Sequence, residues 1–209
     1  MTIWNDIYKN FKKGWNAWAT LSEDIHPMFL DFLNKSQLKY KCVFDVWCWT
    51  WKYLEFLQSK WFITDGIDSS EIAIKMTKKV LKSNSMVVCK NMFEFDIPVN
   101  KYDLIISIST IHHWTKPQIQ KLTNNIYENL KINGMVFITI PDFNTAMKNG
   151  ILKNNVDIWG RTFQPTTGPE KWLNHSYYTK DEAKNLFLKF KNVNIGLDTI
   201  GRWVIQAKK

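Results

Sequence analysis

Glycine is scarce in this sequence. The chain has 8 glycines in 209 residues, below the share of about 7% that is average for proteins. Tryptophan is abundant instead, with 11 residues. Glycine is the residue that adopts a positive φ readily and lets a backbone approach a ligand closely. The shortage therefore matters most in the turns where tryptophan stands.

Long apolar runs and cysteine pairs are also missing. No stretch reaches the roughly 18 apolar residues of a membrane-spanning helix, and residues 1–15 contain no uninterrupted apolar segment. We therefore expect a soluble cytoplasmic protein. Cys42, Cys48 and Cys89 are odd in number and lack metal-ligand spacing. We expect them to be buried reduced thiols, and we expect no metal site.

The net charge of +9 raises nucleic-acid binding as a function, because a basic face attracts phosphate backbones. The lysines, however, are scattered through the chain among asparagine and isoleucine, and no block of about five or six like charges occurs. This pattern indicates a generally basic composition more than a dedicated nucleic-acid surface. RNA stays an alternative partner.

The order of the predicted elements indicates the fold class. Short apolar strands alternate with amphipathic helices in the central part of the chain. Strands are predicted at 41–46, 62–68, 85–91, 102–109 and 134–140, and helices at 52–60, 69–82 and 117–131. This alternation predicts a mostly parallel sheet with right-handed crossovers, in an α/β Rossmann-like three-layer sandwich.

Two flanking regions complete the single domain that we expect over residues 1–209. Two amphipathic helices precede the first strand, the second of them capped by Ser22. After the fifth strand comes a long irregular segment, then a Thr179-capped helix at 180–190 and two strands that predict an antiparallel hairpin at the sheet edge. The expected parts are a helical cap at 1–38, a central core at 39–141 and an acceptor-side segment with the hairpin at 142–209.

Tryptophan stands in the loop after the first predicted strand. Residues 45–53 read DVWCWTWKY, and with glycine for tryptophan the string becomes DVGCGTGKY. The glycine form closely resembles the first motif of class I S-adenosylmethionine-dependent methyltransferases. In such a loop the backbone turns sharply and approaches the ligand, whereas each indole adds roughly 150–250 Å² of side chain. As written, Trp47, Trp49 and Trp51 would fill the cofactor crevice.

A difference in genetic code would explain both the excess of tryptophan and the shortage of glycine. UGA is read as glycine in some codes and as tryptophan in others, so translation with the wrong table writes tryptophan for glycine. Trp61 fits the same hypothesis, because it stands at a turn where glycine usually ends a helix. Genuine tryptophan in a degenerate protein and deliberate substitution are the alternatives.

The resemblance covers roughly residues 41–141 and implies S-adenosylmethionine as the cofactor. It places Asp45 near the methionine amino group, Asp68 at the ribose hydroxyls, and Asn91 with Met92 at the adenine. Without the resemblance, an aspartate before two serines is typical of a helix N-cap. The cofactor-binding residues that the resemblance implies are Asp45, Trp47, Cys48, Trp49, Trp51, Asp68, Ser69, Asn91, Met92 and Ser107.

The fourth strand runs into YDLIISISTIHHW, which closely resembles a pattern common among small methyltransferases. The resemblance puts Ser107 beside the sulfonium and makes His112 and His113, at the rim facing the acceptor, the candidate catalytic residues. Each histidine could deprotonate the acceptor, position it, or serve the structure alone. The weaker acceptor-side candidates are His175, Tyr177 and Tyr178.

These residues point to an enzyme that moves a methyl group from S-adenosylmethionine to an oxygen, nitrogen or sulfur of an acceptor. We expect a small-molecule acceptor, with a tRNA-modifying methyltransferase as the alternative. If the tryptophans are genuine, the same fold serves as a non-catalytic binding module, since fold does not imply function.

Overall fold

The computed structural model describes residues 4–5, 25–36, 38, 41–48, 51–82 and 84–209. Its strands are β1 (Cys42–Val46), β2 (Ile63–Asp68), β3 (Val87–Cys89), β4 (Leu104–Ile108), β5 (Met135–Pro141), β6 (Asn155–Trp159), β7 (Thr162–Pro165), β8 (His175–Ser176), β9 (Lys191–Leu197) and β10 (Arg202–Lys208). Its helices are α1 (Pro27–Lys35), α2 (Lys52–Ser59), α3 (Glu71–Val80), α4 (Lys116–Asn129), α5 (Phe143–Lys148) and α6 (Lys180–Leu186), with a short 3₁₀ helix at Ile111–His113. None of the helices in these residues combines the length and the apolar character that crossing a bilayer requires.

The main sheet has seven strands in the order β3-β2-β1-β4-β5-β10-β9. β1 to β5 pair in parallel, whereas β10 runs antiparallel to both β5 and β9. This arrangement confirms the predicted Rossmann-like fold and its antiparallel C-terminal hairpin. The strand order reverses between β1 and β4, so the crevice beyond their carboxyl ends is where an open α/β sheet binds its ligand.

The central strands are apolar because both faces of the sheet are covered. Leu104 and Ile106 of β4 pack in one hydrophobic cluster with Phe29 of α1. Between them, Ile105 faces the other side and packs in a second cluster with Phe44 of β1. Alternate residues of one strand thus anchor opposite layers, which fixes the strand register and the edge at which the strands end.

Two predicted helix boundaries are wrong. α1 begins at Pro27, because the His26 ring accepts a hydrogen bond from the Met28 amide at 3.2 Å and so acts as the N-cap in place of Ser22. α6 has the predicted Thr179 cap but ends at Leu186. The helix predicted before α1 lies almost entirely outside the described residues.

The segment predicted to be irregular contains α5 and a small antiparallel sheet with the order β6-β7-β8. These elements are short, and β8 has only two residues, so their periodicity is too brief to detect in the sequence. Phe163 pairs with His175 in this sheet. The small sheet thereby carries His175 toward the carboxyl edge of the main sheet.

Gly66 is required by packing between β2 and the loop after β1. A Cβ at this position would lie 2.8 Å from the Cys48 Cβ and 3.0 Å from the Leu54 Cδ1. The same loop is tied to β2 by the Cys48 amide, which donates to the Ile67 carbonyl at 2.8 Å. Because the nearest atom adjoins the loop backbone, a methyl group here would displace the loop itself.

We predict that Gly66→Ala lowers the free energy of unfolding by about 1–3 kcal/mol, which is the usual cost of overpacking a filled core. Gly196→Ala is the matched control, because its new methyl group would meet only the flexible end of the Met28 side chain. The measurement is urea denaturation of both variants. Equal losses in the two variants would contradict this account of Gly66.

Candidate functional site

A cavity of about 400 Å³ opens at the carboxyl ends of β1 and β4, within the range of about 300–1,000 Å³ that is typical of small-molecule pockets. Asp45 of β1 and Trp47, directly after β1, line the cavity, and Ser109 and His113 line it from the segment after β4. The start of α1 and the turn between β9 and β10 close its other side. The cavity therefore lies at the switch point of the sheet.

The backbone after β1 turns through conformations that favour glycine. Trp47 has a φ of 109°, and Trp51, at the start of α2, has a φ of 61°. A left-handed conformation costs a residue with a Cβ roughly 1–2 kcal/mol, whereas glycine adopts it freely. Trp49 lies outside the described residues. Both tryptophans of this loop that the structure describes thus have glycine-like backbone conformations.

The Trp47 side chain fills the space over the end of β1. Only 5% of its surface is exposed. Its ring centroid lies 4.9 Å from that of Trp4 and 4.8 Å from that of Trp114, both in edge-on contacts. The indole therefore occupies the crevice in which a ligand of this fold would place its central part.

Two further tryptophans have a positive φ, Trp61 at 68° and Trp172 at 65°. Both side chains are exposed, so neither is packed in the core. The sequence pattern does not single out Trp172. Trp203 differs from them: it is buried, and its Nε1 donates to the Tyr178 carbonyl at 2.9 Å. Backbone conformation thus separates tryptophans in glycine-like positions from one that packs as an indole.

Asp45 places a buried carboxyl group at the cavity wall. Burial, together with the nearby Asp68 carboxylate, raises the pKa of Asp45 well above its ordinary value. The two aspartates end neighbouring parallel strands, which brings like charges together in a poorly solvated place. A cation bound beside Asp45 would relieve this repulsion.

Asp68 is fully buried, and its carboxylate accepts a hydrogen bond from the Ser70 amide at 2.8 Å. Ser70 is the N-cap of α3, because its hydroxyl accepts from the Ala73 amide at 3.3 Å. The cap role that the sequence offered for Asp68 thus falls to Ser70. The Ser69 hydroxyl oxygen is buried and has no hydrogen-bond partner among the described residues.

Asn91 and Met92 follow β3 in a tight turn. The Asn91 side-chain oxygen accepts a hydrogen bond from the Phe93 amide at 3.1 Å, which leaves one of its two lone pairs for another donor. Met92 is buried in the same hydrophobic cluster as Trp47. Met92 therefore packs in the core that also holds Trp47, and neither Asn91 nor Met92 lines the first cavity.

Hydroxyl groups fix the turn after β4. The buried Ser107 hydroxyl lies 2.6 Å from the Thr110 hydroxyl, and the Ser109 amide donates to the Thr139 hydroxyl at 2.8 Å. Ser109 has a φ of 61°. These bonds hold a strained turn that leads directly into the 3₁₀ helix carrying His112 and His113.

The two adjacent histidines meet a third one. The ring centroids of His112 and His113 are 4.1 Å apart, and the His175 centroid lies 4.7 Å from that of His113. Burial and the neighbouring imidazoles lower the pKa of His112 and His113 well below the ordinary value, and burial lowers the pKa of His175 to about 4. All three rings are therefore neutral at pH 7.

A second cavity, of about 440 Å³, lies on the far side of these histidines. His175, Glu170 and Tyr177 line it, and His113 lines both cavities. Burial raises the pKa of Glu170 to about 7. Tyr178 lines neither cavity, and its ring instead faces the Lys116 ammonium at 4.8 Å. Of the three weaker candidates, the structure brings His175 and Tyr177 to the site.

Sequence reasoning missed the polar group that closes the first cavity. The His26 Nε2 lies 3.0 Å from a carboxylate oxygen of Asp198, and the Arg202 Nε lies 3.3 Å from the same oxygen. All three residues line the cavity. His26 and Asp198 are 172 residues apart in the chain, so no local motif could have connected them.

The residues at the strand ends fit S-adenosylmethionine, but the Trp47 side chain does not. The buried Asp45 carboxyl group suits the methionine ammonium of the cofactor, and Asp68 stands at the strand end where an acid binds a ribose in such folds. The indole of Trp47 takes up the intervening space. Glycine at position 47 would remove the indole and would suit the φ of 109°.

Comparisons with known proteins agree with this geometry. Residues 43–134 match a family model described as a methyltransferase domain. No curated protein matches the chain significantly in sequence.

Solved structures are similar over most of the chain. An S-adenosylmethionine-dependent methyltransferase from Methanosarcina mazei is 14% identical with a TM-score of 0.72, covering 89% of this chain and 98% of its own. The 1,6-didemethyltoxoflavin-N1-methyltransferase of Burkholderia thailandensis is 14% identical with a TM-score of 0.71, covering 98% and 85%. An S-adenosylmethionine-dependent methyltransferase from Mesorhizobium loti is 12% identical with a TM-score of 0.65, covering 83% and 93%.

At these identities the structural likeness shows the fold, while the family match covers the strands and loops that build the crevice. Residues 43–134 of this chain thus match a methyltransferase domain, and its fold is similar to that of solved S-adenosylmethionine-dependent methyltransferases.

Proposed function

We propose that this protein, with glycine at positions 47, 49 and 51, transfers the methyl group of S-adenosylmethionine to a small-molecule acceptor. The observation that carries the proposal is the meeting of two cavities at His113. One is bordered by the Asp45 carboxyl group and the other by the histidine cluster. A cofactor crevice and an acceptor chamber that share one wall are what a direct transfer between two bound molecules needs.

Asp45 orients the cofactor in this proposal. Its buried carboxyl group, at the end of β1, attracts the cofactor ammonium because the site is poorly solvated and charges interact strongly there. Asp68 accepts hydrogen bonds from the ribose hydroxyls at the end of β2. Asn91 and Met92 border the adenine, and the backbone at 47–51 faces the methionine portion.

The chain contributes mainly alignment and exclusion of water. S-adenosylmethionine supplies a methyl group that its sulfonium already activates. The hydroxyl network around Ser107 holds the wall of the crevice, and His113 separates the crevice from the acceptor chamber. Since the buried imidazoles are neutral and are weak bases, positioning of the acceptor is the role that we propose for His112 and His113.

The size of the second cavity supports a small acceptor. The second cavity is about 440 Å³, which suits a compact molecule held between side chains. The Burkholderia thailandensis relative is named for a small heterocyclic substrate and was solved with that molecule and S-adenosylhomocysteine bound. A tRNA acceptor stays the alternative that the acceptor experiment below separates.

A non-catalytic binding module is the competing function, and one observation favours it. If the tryptophans are genuine, the buried indole of Trp47 blocks the crevice. The positive φ at positions 47, 51, 61 and 172 supports glycine instead, because four strained tryptophans in one chain would together cost several kcal/mol at roughly 1–2 kcal/mol each.

We predict that the variant Trp47→Gly/Trp49→Gly/Trp51→Gly binds S-adenosylhomocysteine with a Kd of about 1 μM, a free energy of about −8 kcal/mol. The sequence as printed should bind roughly a hundredfold more weakly, because an indole occupies the crevice. Trp61→Gly is the matched control: it changes an exposed tryptophan of positive φ outside the cavity and should leave affinity unchanged. Equal calorimetric affinity for the triple variant and the printed sequence would refute the steric argument.

The raised pKa of Asp45 predicts proton release on cofactor binding. In the free protein, burial favours the protonated carboxyl group. A bound ammonium favours the carboxylate, so binding expels a proton, and affinity rises with pH until Asp45 is ionised in the free protein. Calorimetry of the triple glycine variant in buffers of different ionisation enthalpy measures the released protons. Adding Asp45→Asn to this variant keeps the shape of the side chain but removes its ionisable group, so proton release should disappear. If the number of released protons does not change, the proton comes from another group.

Methyl transfer itself is tested with labelled cofactor. We expect the triple glycine variant, incubated separately with small metabolites, RNA and protein from cells, to label the small-molecule fraction. Label in the RNA fraction alone would assign the activity to tRNA modification. Absence of label, despite measured cofactor binding, would favour the non-catalytic module.

A further inference from the structure

Three of the four histidines of this chain converge at one point. One ring nitrogen from each of His112, His113 and His175 lies within 4.8 Å of the others. The first two stand on the 3₁₀ helix after β4, and the third stands on β8 of the small sheet. Because His175 comes from a separate element, the cluster does not follow from the adjacency of His112 and His113 alone.

One ring nitrogen of each histidine in the cluster lacks a hydrogen-bond partner within the described part of the chain. The Nδ1 atoms of His112 and His113 and the Nε2 of His175 are buried and unpaired. His113 and His175 are each more than nine-tenths buried, with 7% and 8% of their surfaces exposed. Buried polar atoms are normally hydrogen-bonded, so three neighbouring imidazoles, each with one buried nitrogen that has no partner among the described residues, point to a ligand that accepts their lone pairs.

We propose that His112, His113 and His175 bind a divalent transition metal ion of the zinc type, which holds the methyl acceptor through its open coordination position. Three imidazole ligands with one position left for a water molecule or substrate form a common catalytic zinc site. The second cavity, which these histidines line, is where an acceptor would meet the ion. The acceptor-holding part of this inference rests on the proposed function; the metal site does not.

The three imidazole nitrogens favour one class of metal ion. Imidazole nitrogen suits zinc, copper, nickel and iron, whereas magnesium and calcium prefer oxygen ligands. An oxygen of Glu170 lies 3.3 Å from the His175 Nε2 without hydrogen-bond geometry. Because Glu170 lies against the nitrogen that would bind the ion, it stands on the same side of His175 as the position left for water or acceptor.

The histidine nitrogens lie farther apart than they would with a zinc ion bound. Zinc to nitrogen distances of about 2.0–2.1 Å in a tetrahedron place ligand nitrogens about 3.3 Å apart, compared with up to 4.8 Å between the rings here. Small rotations of the side chains close this difference. The sequence showed no metal-ligand spacing because His112 and His113 are adjacent and the third ligand comes from a distant element.

Cobalt(II) is a direct probe of the site. We expect the full chain, after treatment with a chelator, to bind one equivalent of cobalt(II) with visible d–d absorption typical of nitrogen ligation, and zinc to displace it. His112→Gln and His175→Gln should each weaken cobalt binding by at least about a hundredfold, because removing a ligand costs more than the roughly 10–100-fold lost with a second-shell partner. His26→Gln is the matched control, because it removes the one histidine outside the cluster and should bind cobalt like the unchanged protein.

Absence of cobalt and zinc binding by the unchanged, folded chain would overturn the metal site. Equal cobalt affinity in the His175→Gln and His26→Gln variants would overturn the assignment of ligands. Circular dichroism of each variant shows that it is folded, so loss of binding is not mistaken for unfolding.

The role of the ion is tested in the triple glycine variant. Chelation should abolish label transfer from S-adenosylmethionine and zinc should restore it, while calorimetric binding of S-adenosylhomocysteine stays unchanged. Label transfer that survives chelation would overturn the acceptor-holding role. Cobalt binding without any cofactor binding would leave the metal site standing and would refute the proposed methyl transfer instead.

Discussion

The turn after β1 is the constraint on which the candidate site depends. The chain must leave a central parallel strand, enter α2 and leave room for a ligand at the switch point of the sheet. The backbone does this with a positive φ at positions 47 and 51, and Gly66 on β2, which has no Cβ, lets the loop lie close against the sheet. A residue without a Cβ meets all of these conditions at no cost. Trp47 meets the backbone requirement only with strain, and its indole takes the space of the ligand.

Burial determines the chemical properties of the groups at both ends of the site. At one end, the Asp45 and Asp68 carboxyl groups are held near each other in a poorly solvated place, which raises the pKa of Asp45. At the other end, three neutral imidazoles lie together, each with one ring nitrogen that has no partner among the residues that the structure describes. Bringing like groups together out of water costs free energy. In each case a ligand of complementary chemistry would relieve that cost, and we propose an ammonium group at the carboxylates and a metal ion at the imidazoles.

The sequence alone determined the order of the strands and the residues at their carboxyl ends. Apolar periodicity is local, so the strands from Cys42 to Pro141 could be predicted within a few residues of their bounds. Parallel strands end at a common edge, which is why the positions of Asp45 and Asp68 in the chain are enough to place them together. Gly66 shows the limit of this reasoning, because its need for a bare Cα arises from a contact with another segment.

Only the tertiary structure decided how the acceptor side is assembled. His175 meets His113, and Asp198 meets both His26 and Arg202, because short elements from distant parts of the chain pack at one edge. The two-residue strand β8 is too brief to leave a periodic pattern. Backbone conformation was equally hidden at Trp172, since a letter in a sequence does not reveal a positive φ. The sequence therefore determined which residues end the central strands at the proposed cofactor site, whereas three-dimensional packing determined which residues meet at the proposed acceptor site.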